Sequence, residues 1–408
     1  MLKKILVTGG AGFIGSHTVV ELANAGYEPV IVDNFSNSSR GVLKNLKKIL
    51  AREVTCYDGD CCDRLFLEQV FTKEKNIQGA IHFAALKAVG ESVKEPLLYY
   101  RNNIDSLLVL LDVMKEYGAQ LFVFSSSATV YGAADRLPVT EETPLKPAEC
   151  PYGVTKQVGE QIVRDAVTAG YGLKAVSLRY FNPIGAHETA LIGELPIGVP
   201  KNLVPYVTQV AAGLLPELTV HGNDYSTPDG TPIRDYIHVL DLSAAHVAAL
   251  KYLTKTLGHY DTKALRNKNA EALRHCDTKK SDVTSAIALR NSQNSSELVP
   301  GGMSECHSAD GLSALVPECL SASVGYDVFN LGTGKGNSVM EVISTFEKAT
   351  GVKLKYKIGP RRPGDIESIY ADASKAEKLL GWKANRSLSD SLKSAWEWQK
   401  NISIKGKA

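Results

Sequence analysis

At 408 residues the chain can bury two cores, or one large domain with a smaller lobe, and 44% hydrophobic with 22% charged residues is a globular balance. A formal net charge of +2 gives none of the long-range field that nucleic-acid and membrane-surface binders rely on, and leaves small anionic ligands open. Seven cysteines without a CxxC pair do not read as a disulfide framework or a zinc site, and imply no metal.

The opening MLKKILVTGG interrupts its apolar run with glycines too early for a signal peptide, and no stretch approaches the roughly twenty apolar residues of a membrane span. The expectation is a cytoplasmic protein. Residues 5 to 8 (ILVT), 30 to 32 (VIV), 79 to 83 (GAIHF) and 121 to 124 (LFVF) are apolar without clean alternation, as strands covered on both faces of a parallel sheet should be. Between them run helical segments such as Leu107 to Met114 and the stripe Val154, Val158, Ile162 and Ala166. The pattern predicts an α/β fold, a doubly wound parallel sheet of Rossmann-like type over residues 1–180.

After about residue 180 the chain becomes irregular and rich in proline and glycine. Residues 181–257 and 326–400 read as a smaller C-terminal substrate lobe, with some segments returning to the first sheet. From Asp261 to Gly325 there is no Phe, Tyr or Trp, although the chain is 7% aromatic. Residues 258–325 are therefore expected to be a disordered insert, between a helix ending near Leu253 and a strand at VFNLG.

ILVTGGAGFIGSH sets Gly9, Gly12 and Gly15 in a GxxGxxG series between a strand and a helix. Glycines there allow a tight turn and close approach to a pyrophosphate, and the helix N-terminus offers N–H groups to it. Asp33 ends the second strand, where its carboxylate suits adenosine ribose hydroxyls and repels a 2′-phosphate, which favours NAD over NADP. PYGVTK at 151 to 156 places Tyr152 and Lys156 four positions apart, on one face of a helix.

This glycine spacing, the serine-bearing SSSATVYG at 125 to 132 and the YxxxK pair resemble the short-chain dehydrogenase/reductase superfamily. The superfamily pattern makes Tyr152 a general base, Lys156 the cation that lowers its pKa and hydrogen-bonds the nicotinamide ribose, and Ser127 the hydroxyl that steadies the substrate proton.

TGGAGFIGSH, VDNFSNS, HFAALKAVGES, SSSATVYG, PYGVTK, RYFNPIGAH, HGNDY with GTPIRDYIHV, NLGTGKGNSV and RRPGD with YADASKA together resemble the UDP-galactose 4-epimerases from residue 5 to about residue 398, the insert excepted. The resemblance implies a homodimer with one tightly held NAD, a UDP-sugar substrate and a transient 4-keto sugar. It implies an NAD site of Gly9, Gly12, Phe13, Ile14, Gly15, Asp33, Asn34, Asn37, Ser38, Asp60, Cys61, Phe83, Ala84, Ala85, Lys87, Asn102, Phe181 and the catalytic residues. For the nucleotide sugar it implies Ser127, Tyr152, Asn182, Asn202, Thr219, Val220, His221, Arg234, Arg362 and Asp365, with Ile369 facing the sugar's C2 substituent. Two arginines suit a diphosphate by forked, charge-assisted hydrogen bonds.

Nucleotide-sugar 4,6-dehydratases share this framework but resemble TDEVYG where this chain has SATVYG, with Ala128 and Val130 flanking Thr129, so the acid and base of that stretch are missing here. A 4-epimerase of UDP-pentoses or UDP-glucuronate differs only in pocket residues. A non-catalytic NAD sensor would be expected to have lost Tyr152 or Lys156, and both are present.

Overall fold

The computed structural model describes residues 3–257, 325–362 and 365–405. Residues 1–254 and 325–408 form one compact unit; the insert expected over 258–325 falls outside the described residues except for Gly325.

Six strands build most of the first sheet: β1 (Lys3–Thr8), β2 (Tyr27–Asp33), β3 (Thr55–Asp58), β4 (Ile77–His82), β5 (Leu121–Ser127) and β6 (Lys174–Tyr180). Their connecting helices are α1 (Phe13–Asn24), α2 (Gly41–Leu50), α3 (Arg64–Glu74), α4 (Val89–Lys94), α5 (Pro96–Tyr117) and α6 (Pro151–Thr168). All pairings are parallel, in the order β3-β2-β1-β4-β5-β6, the doubly wound arrangement expected. Local signals set the helix starts. Pro96 and Pro151 open α5 and α6, where a missing N–H costs nothing, and Asp63 caps α3 by accepting from Phe66 N. Leu110, Met114, Phe122, Phe124 and Val163 lie in a core between α5, α6 and this sheet. Burying each such side chain is worth about 1.5–3 kcal/mol.

At Tyr180, level with Ser127 on β5, the chain leaves the first sheet for β7 (Asn182–Ile184). Helix α7 (Leu203–Ala211), β8 (Leu218–His221), β9 (Ile233–His238) and α8 (Val239–Leu257) follow. β10 (Tyr326–Leu331) returns to pair with β6 as the seventh strand. Beyond it come β11 (Gly336–Ser338), α9 (Val339–Thr350), β12 (Tyr356–Gly359), β13 (Ser368–Ile369), α10 (Ser374–Leu380) and α11 (Leu388–Lys405). β9 is the hub of a small sheet, pairing with β7, β11 and β13, while β8 pairs with β12. The two sheets therefore meet where β6 hands over to β7.

Candidate active site

β1 and β4 are neighbours whose chains continue to opposite sides of the sheet, which opens a crevice at their carboxyl ends. The glycine turn lies there. Gly9 has φ +70°, and a Cβ on it would stand 2.9 Å from Ala84 N; a Cβ on Gly15 would stand 2.2 Å from Gly9 O. Only glycine fits either position. Gly12 caps α1 without a side-chain hydrogen bond and the first turn holds no acidic residue, so the N–H groups of Phe13, Ile14 and Gly15 face an anion unopposed.

Asp33 is buried at the end of β2. Its Oδ2 accepts from Ala11 N at 2.9 Å, and Oδ1 accepts from Phe35 N and Ser38 Oγ, each at 2.9 Å. A carboxylate offers about four acceptor positions, so Oδ2 keeps one for a ribose hydroxyl. Asn34 Nδ2 donates to Asp60 Oδ2 at 3.1 Å, and Asn37 is exposed beside them in sequence. Cys61 is buried and burial pushes its thiol pKa up, which makes it a neutral packing group. The glycine cradle, the free helix N–H groups and the Asp33 acceptor fit a dinucleotide.

On the other side of the crevice, Ala84 N donates to Thr8 Oγ1 at 3.4 Å, and the Phe83 ring lies 4.8 Å from that of His246. Asn102 donates through Nδ2 to Asn103 Oδ1 at 3.0 Å. Asn103, which the sequence reading passed over, is the buried hub: its carboxamide binds Leu86 N (2.8 Å), Leu86 O (3.0 Å) and Thr155 Oγ1 (3.1 Å). It ties the Phe83–Lys87 loop to the first turn of α6.

That first turn carries the tyrosine. Tyr152 is half-buried, Ser127 at the end of β5 hydrogen-bonds its phenol, and Ser127 Oγ also accepts from Thr129 N at 3.2 Å. Lys156 is buried one turn on, donating to Ser125 O at 2.7 Å, with Nζ 5.9 Å from the Tyr152 ring centroid. Burial pushes the Tyr152 phenol up to about 12, against the pull of the Ser127 hydrogen bond. Burial pushes the Lys156 ammonium down to about 7, against the pull of Glu160. Loss of solvation thus disfavours the charged form of both groups, raising the phenol and lowering the ammonium. Lys156 does not pair with Glu160 on an exposed face. Glu160 is buried and bound by Arg179 of β6, Nε to Oε1 at 2.8 Å and Nη2 to Oε2 at 2.6 Å, and by Ser126 Oγ.

The substrate candidates gather around the small sheet. Register sets Ile369 opposite Arg234, and Asn182 opposite Tyr236. Arg234 Nη2 lies 3.1 Å from Asp365 Oδ1, and Arg362 Nε donates to Asp365 Oδ2 at 3.0 Å. Two guanidinium groups on one carboxylate leave a net positive charge suited to a phosphate. Thr219, Val220 and His221 lie on β8 beside β12; Val220 is buried, and His221 Nδ1 is 3.2 Å from Pro360 O. Asn202 is exposed and donates to Glu194 Oε1 at 2.7 Å, which Lys87 approaches at 3.7 Å. Phe181 and Ile369 are buried with Ala128, Val130 and Tyr131 in one apolar cluster at the end of β5.

Comparison with known proteins agrees with this layout. A family model described as GDP-mannose 4,6 dehydratase matches residues 6–304. The UDP-glucose 4-epimerase of Bacillus subtilis (strain 168) is 44% identical over 395 residues, 97% of this chain and 96% of that protein. UDP-glucose 4-epimerase 2 of Arabidopsis thaliana is 43% identical over 404 residues, 98% of this chain and 96% of that one. The crystal structure of the Bifidobacterium longum UDP-glucose 4-epimerase in complex with NAD+ and UDP aligns with a TM-score of 0.78 at 45% identity, over 98% of each chain. With a glycine cradle, a Ser-Tyr-Lys constellation and full-length relatives of this identity, the chain belongs to the UDP-glucose 4-epimerase family.

Proposed function

We propose that this chain holds NAD and interconverts UDP-galactose and UDP-glucose through a transient 4-keto sugar. The observation that carries the reading is the Ser127–Tyr152–Lys156 set where β5 ends and α6 begins, together with an arginine pair on Asp365 suited to a diphosphate. Bound NAD would supply a hydride acceptor and donor at the sugar's C4, and its oxidised ring a positive charge. The protein does the rest. Arg234 and Arg362 anchor the diphosphate, so the sugar can turn about its linkage and offer either face of C4. Tyr152 takes the proton of the 4-hydroxyl and returns it, with Ser127 bridging, and a cation beside the phenol is what brings it from about 12 toward neutrality. Asp33, whose charge disfavours a 2′-phosphate, selects NAD.

The expected result is conversion of UDP-galactose to UDP-glucose by the protein as purified, without added NAD, followed by separation of the sugar nucleotides. A 4-keto-6-deoxy product would mean a dehydratase, the activity in the matched family model's description, and no product would overturn both. Ala128 is buried and apolar and Thr129 carries only a hydroxyl, so neither supplies the acid or the base for dehydration.

Ile369 sets the substrate range in this reading. Its side chain is of intermediate bulk, so the plain sugars are turned over well and the N-acetylated pair weakly. Ile369→Gly is expected to raise the ratio of N-acetyl to plain activity severalfold, since even one methylene in a pocket shifts selectivity by about ten- to two-hundredfold. An unchanged ratio with lower stability would assign Ile369 to packing alone, in keeping with its burial among Val130, Val139 and Ala371.

The protein acts in the cytoplasm as a homodimer in this account. None of the described helices is long and apolar enough to cross a membrane. Leu97, Leu98 and Leu108 of α5 are 68%, 49% and 44% exposed, and Val158 of the adjoining α6 is 40% exposed, an apolar face that a second copy would cover.

A further inference from the structure

The turn after β8 holds a buried hydroxyl that the mechanism has not used. Tyr225 is 6% exposed, and its phenol oxygen has no hydrogen-bond partner among the described residues. An unpaired buried hydroxyl opposes folding, and in a native protein it calls for a reason such as a ligand.

The ring's surroundings give that reason. The 222–226 turn is stitched to the segment that carries Arg362 and Asp365. Gly222 N donates to Gly359 O at 2.9 Å, Ser226 N to Glu367 Oε2 at 3.2 Å, and Arg361 Nε to Asp224 Oδ1 at 2.7 Å. The Arg361 guanidinium lies over the Tyr225 ring, 3.9 Å from its centroid. Gly222, with φ +82°, is required for that stacking, since a Cβ there would come within 2.6 Å of Tyr225 Cε2 and 2.9 Å of Arg361 Cγ. Tyr225 N is fixed in turn by Gly230 O at 3.0 Å. The ring is thus held rigidly, stacked on Arg361, the chain neighbour of Arg362.

We infer that Tyr225 is a further ligand of the nucleoside diphosphate, its phenol O–H donating to a phosphate oxygen held by Arg234 and Arg362. This rests on the proposed reading of that pair as the diphosphate site. A phenol adds a directed donor to two cationic forks, and arrives pre-positioned, so little ordering cost opposes the bond.

The test is calorimetric titration of the full-length protein with UDP, with thermal melting of the same samples, for the native chain and Tyr225→Phe. Loss of one charge-assisted hydrogen bond should weaken UDP binding by about tenfold or more. The melting temperature should stay level or rise, because an unpaired buried hydroxyl has been removed. In turnover, KM for UDP-galactose should rise with kcat unchanged. Equal UDP affinity in the two proteins overturns the inference and leaves the diphosphate site standing. Weaker binding with a lowered melting temperature marks a structural hydroxyl and overturns it too. A native chain that does not bind UDP removes the site reading and the inference together.

Discussion

Tyr152→Phe is expected to lower turnover by about a hundredfold to ten-thousandfold, the usual loss on removing a general acid/base group. The variant should fold and retain NAD, because the half-buried ring keeps its packing at the start of α6 and none of the contacts that fix the glycine turn passes through the phenol. The phenol is pushed up to about 12 while Ser127 is its one side-chain hydrogen-bond partner, so it is protonated at neutral pH until a cation approaches. Lys156, pushed down to about 7 and held to Ser125 O, has its Nζ 5.9 Å from the Tyr152 ring centroid. Steady-state rates beside nicotinamide content check the prediction, and a variant with near-native rate would remove Tyr152 from the chemistry.

The largest expected loss of stability lies behind the site. Arg179→Ala should cost about 3–5 kcal/mol, because it strands Glu160 as a buried charge without its partner. Both side chains are 3% exposed or less, and Arg179 Nη1 also donates to Tyr131 Oη at 3.1 Å. The double change Arg179→Met with Glu160→Leu should recover much of that loss, since a buried pair replaced by apolar groups is often neutral. Urea unfolding of the native chain and the two variants checks this: a double change no more stable than Arg179→Ala would contradict it.

The parts of this molecule legible in the sequence are those where one local rule dominates. Strands at ILVT, VIV, GAIHF and LFVF were expected, and correspond to β1, β2, β4 and β5, because burial on both faces demands uninterrupted apolar runs. β3 and β6 were not, since Asp58 at the edge and Ser177 and Arg179 inside the run break that signal. Arg179 was itself a readable clue: a lone arginine within an apolar strand needs a buried partner, and Glu160 on the next-door helix is that partner. Asn103 and Asp235 were illegible for a different reason. Asp235 accepts from Thr333 N, Gly334 N and Ala371 N, groups about a hundred or more residues away in sequence, and no local pattern announces such a contact. The Arg234–Asp365–Arg362 set came from resemblance, and the β9/β13 register explains why those positions converge.

In the proposed mechanism the C4 hydrogen of the sugar leaves and returns within the site while Tyr152 handles only the hydroxyl proton. UDP-galactose carrying deuterium at C4, turned over by the purified protein in ordinary water, tests it most directly by mass and proton resonance of the product. The product should be UDP-glucose with the deuterium still at C4. Deuterium lost to solvent, or its uptake at C4 of unlabelled substrate turned over in heavy water, would contradict it.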